Sequence, residues 1–488
     1  MQSKIASNPE TTRGRLHTEE ESKYRSPFQR DRDRVIHCKA FRRLKHKTQV
    51  FVAHEGDHFR TRLSHTIEVS QVARTIAKTL NLNSELTEVI ALAHDLGHPP
   101  FAHVGEDVLK IKMKNYGGFD HNAQAIKIVT SLEKSYAEFD GLNLTWETLE
   151  GIAKHNGPVV NSIPYALNDY SNRHNLELKT HASAEAQVAA ISDDIAYNNH
   201  DLDDGLRANL FTENDISNLP IVGECFSLVD AKYPNLDPVR RRNEALRRIF
   251  NEMVEDVIIN SQSLIKNSSL SSSKEVRNLG YQIIQFSPRM IESINEIRTY
   301  LFDNMYRSDR VNLMRERATQ VVNGLFYFFI FLAFSMFGFY DIQLPTKFQN
   351  KLTQMSNKQT GGEFVGVSVM GFLSALIVGP CVTPFLATAL SYVIAGGSAI
   401  KGGISLFAMG LGMGIPILIV CGWGVNALPK AGPWMNTIKN IFGFLMIAVA
   451  LYLLDRIINP IASLVLWASL LTIVPIKLGA FRNLTKTN

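Results

Sequence analysis

The chain changes character near residue 330, and this change limits what it can fold into more than any other feature. Before that point the sequence is polar and charged. After it, apolar runs at about 321–340, 364–394, 403–424, 437–454 and 460–478 dominate. Each approaches or exceeds the roughly 20 residues that a helix needs to cross a bilayer. From Ala318 onward the only acids are Asp341, Glu363 and Asp455, and Lys and Arg outnumber them; the earlier part is slightly acidic. The net charge of +5 over 488 residues therefore describes neither part and is no nucleic-acid signal. A soluble unit over 1–330 followed by a membrane unit over 331–488 is expected.

The start, Met1-Gln-Ser-Lys4, lacks an apolar stretch, so no secretory signal is expected. The four cysteines, Cys38, Cys225, Cys381 and Cys421, have no metal or redox spacing. That argues against a disulfide framework and for a cytoplasmic soluble part.

Strand-like alternation is scarce before residue 330, which predicts an all-α unit. A helix is expected over 64–80, with Ile67, Val69, Val72, Ala73, Ile76 and Leu80 near one face and His65 in its first turn. Asn83 and Ser84 are N-cap candidates for the next helix, which Gly97 and Pro99 end. His94 and Asp95 then lie at its C-terminal end, beside an open loop. A third helix is expected over 182–199. Asp193, Tyr197 and Asp201 recur at i, i+4 and i+8 and share one face, extending slightly past its end. The basic and apolar stretch 40–51 has two readings: an amphipathic helix with a solvated basic face, or a wall around a polyanion, since Arg pairs with phosphate through two donors.

The run His94-Asp-Leu-Gly-His-Pro-Pro-Phe-Ala-His-Val-Gly-Glu106 carries the chemistry. An adjacent His and Asp at a helix end can grip one divalent cation, and an imidazole with a hard oxygen ligand suits Mn, Mg, Fe or Zn. His98, His103 and Glu106 follow within one loop, where they would supply a base and an acid beside the metal. A lone His is more often a satisfied core or surface residue than a ligand. Here His65, His94-Asp95 and Asp193 fall in the order His…His-Asp…Asp, which resembles the metal signature of the HD phosphohydrolase superfamily.

Seven motifs in order resemble the deoxyguanosinetriphosphate triphosphohydrolase (dGTPase-like) family over about residues 10–330. They are Arg30-Asp-Arg-Asp-Arg-Val-Ile-His37, Ala40-Phe-Arg-Arg-Leu44, Lys47-Thr-Gln-Val-Phe51, Arg60-Thr-Arg-Leu-Ser-His-Thr-Ile-Glu-Val69, His94-Asp-Leu-Gly-His-Pro-Pro-Phe101, Phe119-Asp-His-Asn-Ala-Gln124 and Asp193-Asp-Ile-Ala-Tyr197. The resemblance implies an α-helical HD fold and hydrolysis of a dNTP at the α-phosphorus, giving a deoxynucleoside and intact triphosphate. It implies a divalent metal, with Mn, Mg or Fe expected, held by His65, His94, Asp95 and Asp193. It makes His103 and Glu106 the catalytic pair, a buried His beside a carboxylate being held in one tautomer and able to pass a proton. Arg62 would bind phosphate, and His98 and His121 would line the triphosphate site. Tyr197 and Asp201 would contact the deoxyribose, with the Tyr ring excluding a 2′-OH, and Gln49 would meet sugar or base. Lys154 either meets phosphate or is an ordinary surface lysine. Asp194 is expected to be structural or to support a ligand. The HD unit leaves room for a homo-oligomer.

Beyond 330, Val378-Gly-Pro-Cys-Val-Thr-Pro-Phe385 and Lys430-Ala-Gly-Pro-Trp-Met-Asn436 resemble the transmembrane domain of the DsbD thiol:disulfide interchange family. In that family a membrane-embedded cysteine, here Cys381, relays electrons with a second one in an earlier span. No such earlier motif precedes it here, and one thiol cannot carry a two-electron dithiol exchange. A truncated, inert membrane helix bundle is therefore expected, giving a multi-pass membrane protein with its enzymatic part in the cytoplasm. Loop Lys and Arg place 341–363 and the C-terminus in the cytoplasm, and a crossing by 321–340 would then carry the enzyme outside. Three other readings stay open: an HD phosphodiesterase of another specificity, a membrane thiol carrier, and a nonfunctional chimera.

Overall fold

The computed structural model describes residues 3–49, 60–336 and 467–468. Among them every regular element is helical, and the extended pairings are isolated bridges such as Arg15 with Thr145 and Thr48 with Thr61. The helices are α1 Pro27–His37, α2 Lys39–Arg43, α3 Arg62–Thr79, α4 Ser84–Ala93, α5 Ala102–Met113, α6 His121–Lys127, α7 Trp146–Ala153, α8 Tyr165–Arg173, α9 Ala184–Arg207, α10 Val222–Lys232, α11 Pro238–Ser268, α12 Ser273–Asn278, α13 Pro288–Leu301 and α14 Asp309–Met336. The chain divides into two compact units, Met1–Leu325 and Phe326–Asn488.

Local chemistry sets the helix starts. Thr61 and Ser64 form a capping box at α3, each side chain taking the other's backbone N–H. The Asn83 side chain accepts from the N–H groups of Glu85 and Leu86 at α4. Ser26 caps α1 ahead of Pro27, whose missing N–H costs nothing at a first helical position.

The core lies where α3, α4 and α9 pack on one another, with α1 against α4. Val69, Val72, Ala73 and Ile76 of α3 meet Leu86, Val89 and Ile90 of α4 and Val188 and Ile195 of α9, all buried. Two buried carboxylates tie the chain's beginning onto this core. Glu185 accepts from the Ser7 N–H and hydroxyl and from the Asn83 N–H. Asp31 accepts from Arg15 and from the hydroxyls of Thr145 and Thr148. Burying these carboxylates is tolerable because each is fully hydrogen-bonded.

Three expectations change in detail. The third helix runs to Arg207, so Asp201 sits within it; Leu202 and Leu206 stay buried, and Arg207 pairs with Asp203 one turn back. The stretch 40–51 is no long amphipathic helix: α2 ends at Arg43, a tight turn covers Leu44–His46, and Thr48 leaves in extended form to bridge Thr61. The first helix starts at Arg62 because the capping box fixes it there.

Among the described residues no helix is long and apolar enough to cross a membrane. The expected run 321–340 falls on the second half of α14 up to Met336. The other four runs lie outside the described residues except for 467–468, and Cys381 lies outside them too.

Candidate active site and metal centre

Three elements converge at the heart of the first unit. His65 comes from the first turns of α3 and Asp193 from the middle of α9. His94 and Asp95 come from the tight turn His94–Gly97 that continues α4. All but Asp193 are nearly fully buried. One ligand atom each from His65, His94 and Asp95 lie within 4.8 Å of one another. Asp193 Oδ1 is 2.8 Å from His65 Nε2 and 3.6 Å from His94 Nε2.

The donor set fits a divalent cation. His94 donates through Nδ1 to the Ala91 carbonyl at 2.6 Å, which leaves Nε2 bare and facing the cluster. That Nε2 is buried without a hydrogen-bond partner, and so is Asp95 Oδ2. Orphaned buried acceptors are costly, and two of them on neighbouring residues of one cluster call for a positive charge beside them. Imidazoles with carboxylate oxygens suit a borderline or hard divalent ion.

Arg62 links this cluster to a cavity. Its guanidinium hydrogen-bonds Asp95 Oδ1, and it also lines a cavity of about 290 Å³ with Gln49, His103, Tyr197 and Tyr306. Burial works to raise the Asp95 pKa, but Arg62, His94 and His98 outweigh it and hold the carboxyl well below its ordinary range. His98 sits between the groups, with Nδ1 3.1 Å from Asp95 Oδ1. Burial first, and the Arg62 charge second, push its pKa down to about 3, so it is neutral.

A second cluster lies beside the first. Glu106 is buried, with His121 Nδ1 at 3.0 Å and His103 Nδ1 at 3.6 Å. Lys110 Nζ is 3.1 Å from Oε1, the oxygen that His121 approaches, and His103 approaches Oε2. Burial opposes ionisation of Glu106, but hydrogen bonds from His103 and His121 and the nearby cations hold its pKa far below the usual carboxylate range. The His98 and His121 rings are 4.1 Å apart. His103 departs from expectation in one respect: its side chain is 62% exposed, facing the cavity rather than buried.

The glycines of the central motif explain how these pieces fit. A Cβ on Gly97 would meet the His121 carbonyl oxygen at 1.9 Å, and one on Gly105 would meet the Pro100 carbonyl oxygen at 2.1 Å. Both are places where two backbones must approach closely. Phe101, just before α5, and Ala102, its first residue, adopt left-handed φ angles of 63° and 52°, and α5 carries His103 and Glu106. Such strain in non-glycine residues persists where the surroundings over-determine it, often at functional sites.

Lys154 lies apart from the cavity and corrects its expected role. Its side chain is fully buried, and Nζ is taken by Glu150 at 3.1 Å, Thr180 Oγ1 at 2.8 Å and the His181 carbonyl at 3.3 Å. No donor is left for phosphate. Asp201 is also buried, accepting from the Tyr306 hydroxyl at 2.6 Å, and burial raises its pKa to about 7. Tyr197 meets the same Tyr306 hydroxyl. Asp194 pairs with Arg298 at 2.8 Å, away from the cation cluster.

Sequence reasoning missed Tyr306, His155, His200 and Glu68. Tyr306 ends the π-helical turn Phe302–Tyr306, a type of distortion frequent at functional sites. His155 stacks on His94 at 5.0 Å and reaches Asp193 Oδ2 at 3.4 Å. His200 and Glu68 lie behind His65. The only signal for His155 was its place in the segment Lys154-His-Asn-Gly157.

Comparison with known proteins fits this geometry. Residues 62–198 match the HD domain family, and residues 311–458 match the family described as cytochrome C biogenesis protein transmembrane domain. A deoxyguanosinetriphosphate triphosphohydrolase-like protein of Jannaschia sp. (strain CCS1) is 60% identical over 330 residues, covering 68% of this chain and 83% of the relative. Its counterpart in Paracoccus denitrificans (strain Pd 1222) is 59% identical over 330 residues, 68% of this chain and 87% of the relative. That of Brucella canis (strain ATCC 23365 / NCTC 10854 / RM-666) is 52% identical over 329 residues, 66% of this chain and 82% of the relative.

Proposed function

The chain belongs to the deoxyguanosinetriphosphate triphosphohydrolase-like family, and we propose that it hydrolyses a deoxynucleoside triphosphate to the deoxynucleoside and intact triphosphate. The observation that carries this reading is the pair of orphaned acceptors, His94 Nε2 and Asp95 Oδ2, linked through Arg62 to a cavity of nucleotide-pocket size. His65, His94, Asp95 and Asp193 hold a divalent ion, with Mn, Mg or Fe the expected identities. When bound, it supplies Lewis-acid stabilisation of charge on the phosphoryl oxygens.

The chain's own side chains do the rest. Arg62 swings between Asp95 and a substrate phosphate, giving two parallel donors to the α-phosphate region. His98 and the adjacent His121 line the triphosphate site. His103, exposed to the cavity and backed by ionised Glu106, moves the proton between water and the departing 5′-oxygen. Tyr197 and Asp201, with Gln49 across the cavity, hold the deoxyribose.

The residues 331–488 form, in this reading, a DsbD-like membrane segment that anchors the enzyme and leaves it facing the cytoplasm. The match over 311–458 supports the membrane segment of this reading. Cys381 without a partner in an earlier span makes electron transfer through this segment a weaker reading than an inert anchor.

The test is direct. The purified chain should bind one divalent ion and convert dGTP to deoxyguanosine and triphosphate, and Asp95→Ala should lose both the ion and nearly all turnover. Full metal occupancy in Asp95→Ala would sink the ligand set, while release of dGMP and pyrophosphate by the unaltered chain would sink the chemistry.

A further inference from the structure

Behind the cation cluster runs a file of side chains that the proposed chemistry leaves unused. His65 turns Nε2 toward Asp193 and Nδ1 away from it, 3.1 Å from Nδ1 of His200. His200 is buried on α9 and presents its Nε2 to the carboxylate of Glu68. Glu68 lies one turn after His65 on α3, so the two helices that supply ligands also supply the file. Arg60 closes it, with Nε 3.4 Å from Glu68 Oε2 and Nη1 2.9 Å from Asp203 Oδ2.

The proton positions along this file follow from donor and acceptor counting. A carboxylate only accepts, so His200 must carry its proton on Nε2 to bond Glu68. Neutral His200 then has a bare Nδ1, which can only accept. His65 must therefore carry its proton on Nδ1, and its Nε2 is bare. The reverse arrangement places a bare His200 Nε2 against the Glu68 carboxylate, two lone pairs at hydrogen-bond distance. Glu68 sets this direction, and it leaves the bare His65 Nε2 2.8 Å from Asp193 Oδ1, a pair of acceptors that a cation held between them would satisfy.

We propose that Glu68 and His200 are positioning residues that hold His65 in the one tautomer whose Nε2 can bind a metal ion. The inference rests on the metal reading given above. His94 reaches the same end by a shorter route, its Nδ1 tied to the Ala91 carbonyl. The two ligand histidines are thus fixed by different partners, one by its own helix and the other through a second imidazole. Partners of this kind orient the ring and raise its basicity.

The test uses the full chain and Mn(II) alone, with affinity read by chelator competition and the melting temperature of the metal-free protein read in parallel. His200→Leu removes the acceptor for the His65 proton and should weaken Mn(II) binding about 10- to 100-fold, the range for losing such a partner. His200→Gln keeps an amide oxygen that can accept the same proton and should retain most of the affinity. A purely structural role would instead lower the metal-free melting temperature without separating Gln from Leu in affinity. Glu68 is half-exposed, so Glu68→Ala spares the fold and should give an intermediate loss. Unchanged affinity in His200→Leu or in Glu68→Ala, or a loss in His200→Gln equal to that in His200→Leu, would overturn the inference alone. Failure of the unaltered chain to take up Mn(II) would overturn the metal centre, and the inference with it.

Discussion

At the scale of single residues, exposure separates chemistry from framework. His103 is largely exposed, so His103→Ala should leave the melting temperature unchanged. It should cut dGTP turnover about 100-fold or more, as loss of a general acid–base group does. Wild-type turnover in that variant would remove His103 from the reaction. Lys154 should behave oppositely. It shares a fully buried ion pair with Glu150, which Arg277 also reaches at 3.2 Å. Lys154→Met should cost on the order of 3 kcal/mol of stability, since it strips one partner from a buried carboxylate. The KM for dGTP in the folded fraction should stay where it was; a large rise in KM would return Lys154 to the phosphate site. The contrast shows what the sequence could and could not reveal. His65, His94, Asp95 and Asp193 are legible because two sit side by side and the order is distinctive. The surroundings of Lys154, and the file from His65 to Glu68, arise from helices that meet only on folding. His200 and Glu68 carry no local pattern that marks them.

At the scale of elements, caps and close approaches decide the geometry. The Asn83 cap is readable in one dimension and appears at the expected place, and most of the apolar face of α3 is too, although Ile67 points to solvent and the helix runs from Arg62 to Thr79. The stretch 40–51 is not readable so, because its course is set by the bridge from Thr48 to Thr61, a long-range contact. The length of α9 is likewise fixed by burial of Leu202 and Leu206 rather than by a local stop signal. Glycine substitutions test this level. Gly97→Ala forces a methyl to within 1.9 Å of the His121 carbonyl oxygen, with Ala125 N at 2.4 Å. It should cost about 1–3 kcal/mol, the usual range for overpacking, and displace His121 from Glu106. Gly324 in α14 has nothing within 4 Å of the same position, so Gly324→Ala should stabilise the helix by roughly 0.5–1 kcal/mol. Thermal melts of the two variants should shift in opposite directions; equal shifts would contradict the packing described for Gly97.

At the scale of the whole molecule, two resemblances meet in one chain. The match to triphosphohydrolase-like relatives covers 330 residues, and the match to the cytochrome C biogenesis transmembrane domain begins at residue 311. The composition break near 330 was legible because apolar runs of bilayer length have no place in a soluble core. The orientation of the run 321–340 was not, because loop charges and enzyme location give opposite answers. If the second part is only an anchor, Cys381→Ser should leave dGTP hydrolysis unchanged while the chain still sediments with membranes. A large loss of hydrolysis would show the parts working together. The central claim is that water attacks the α-phosphorus of a deoxynucleoside triphosphate, and running the reaction with dGTP and Mn(II) in ¹⁸O-labelled water tests it most directly. Mass spectrometry of the products should find one labelled oxygen in the triphosphate and none in deoxyguanosine. Labelled deoxyguanosine, or dGMP with pyrophosphate in place of these products, would contradict it.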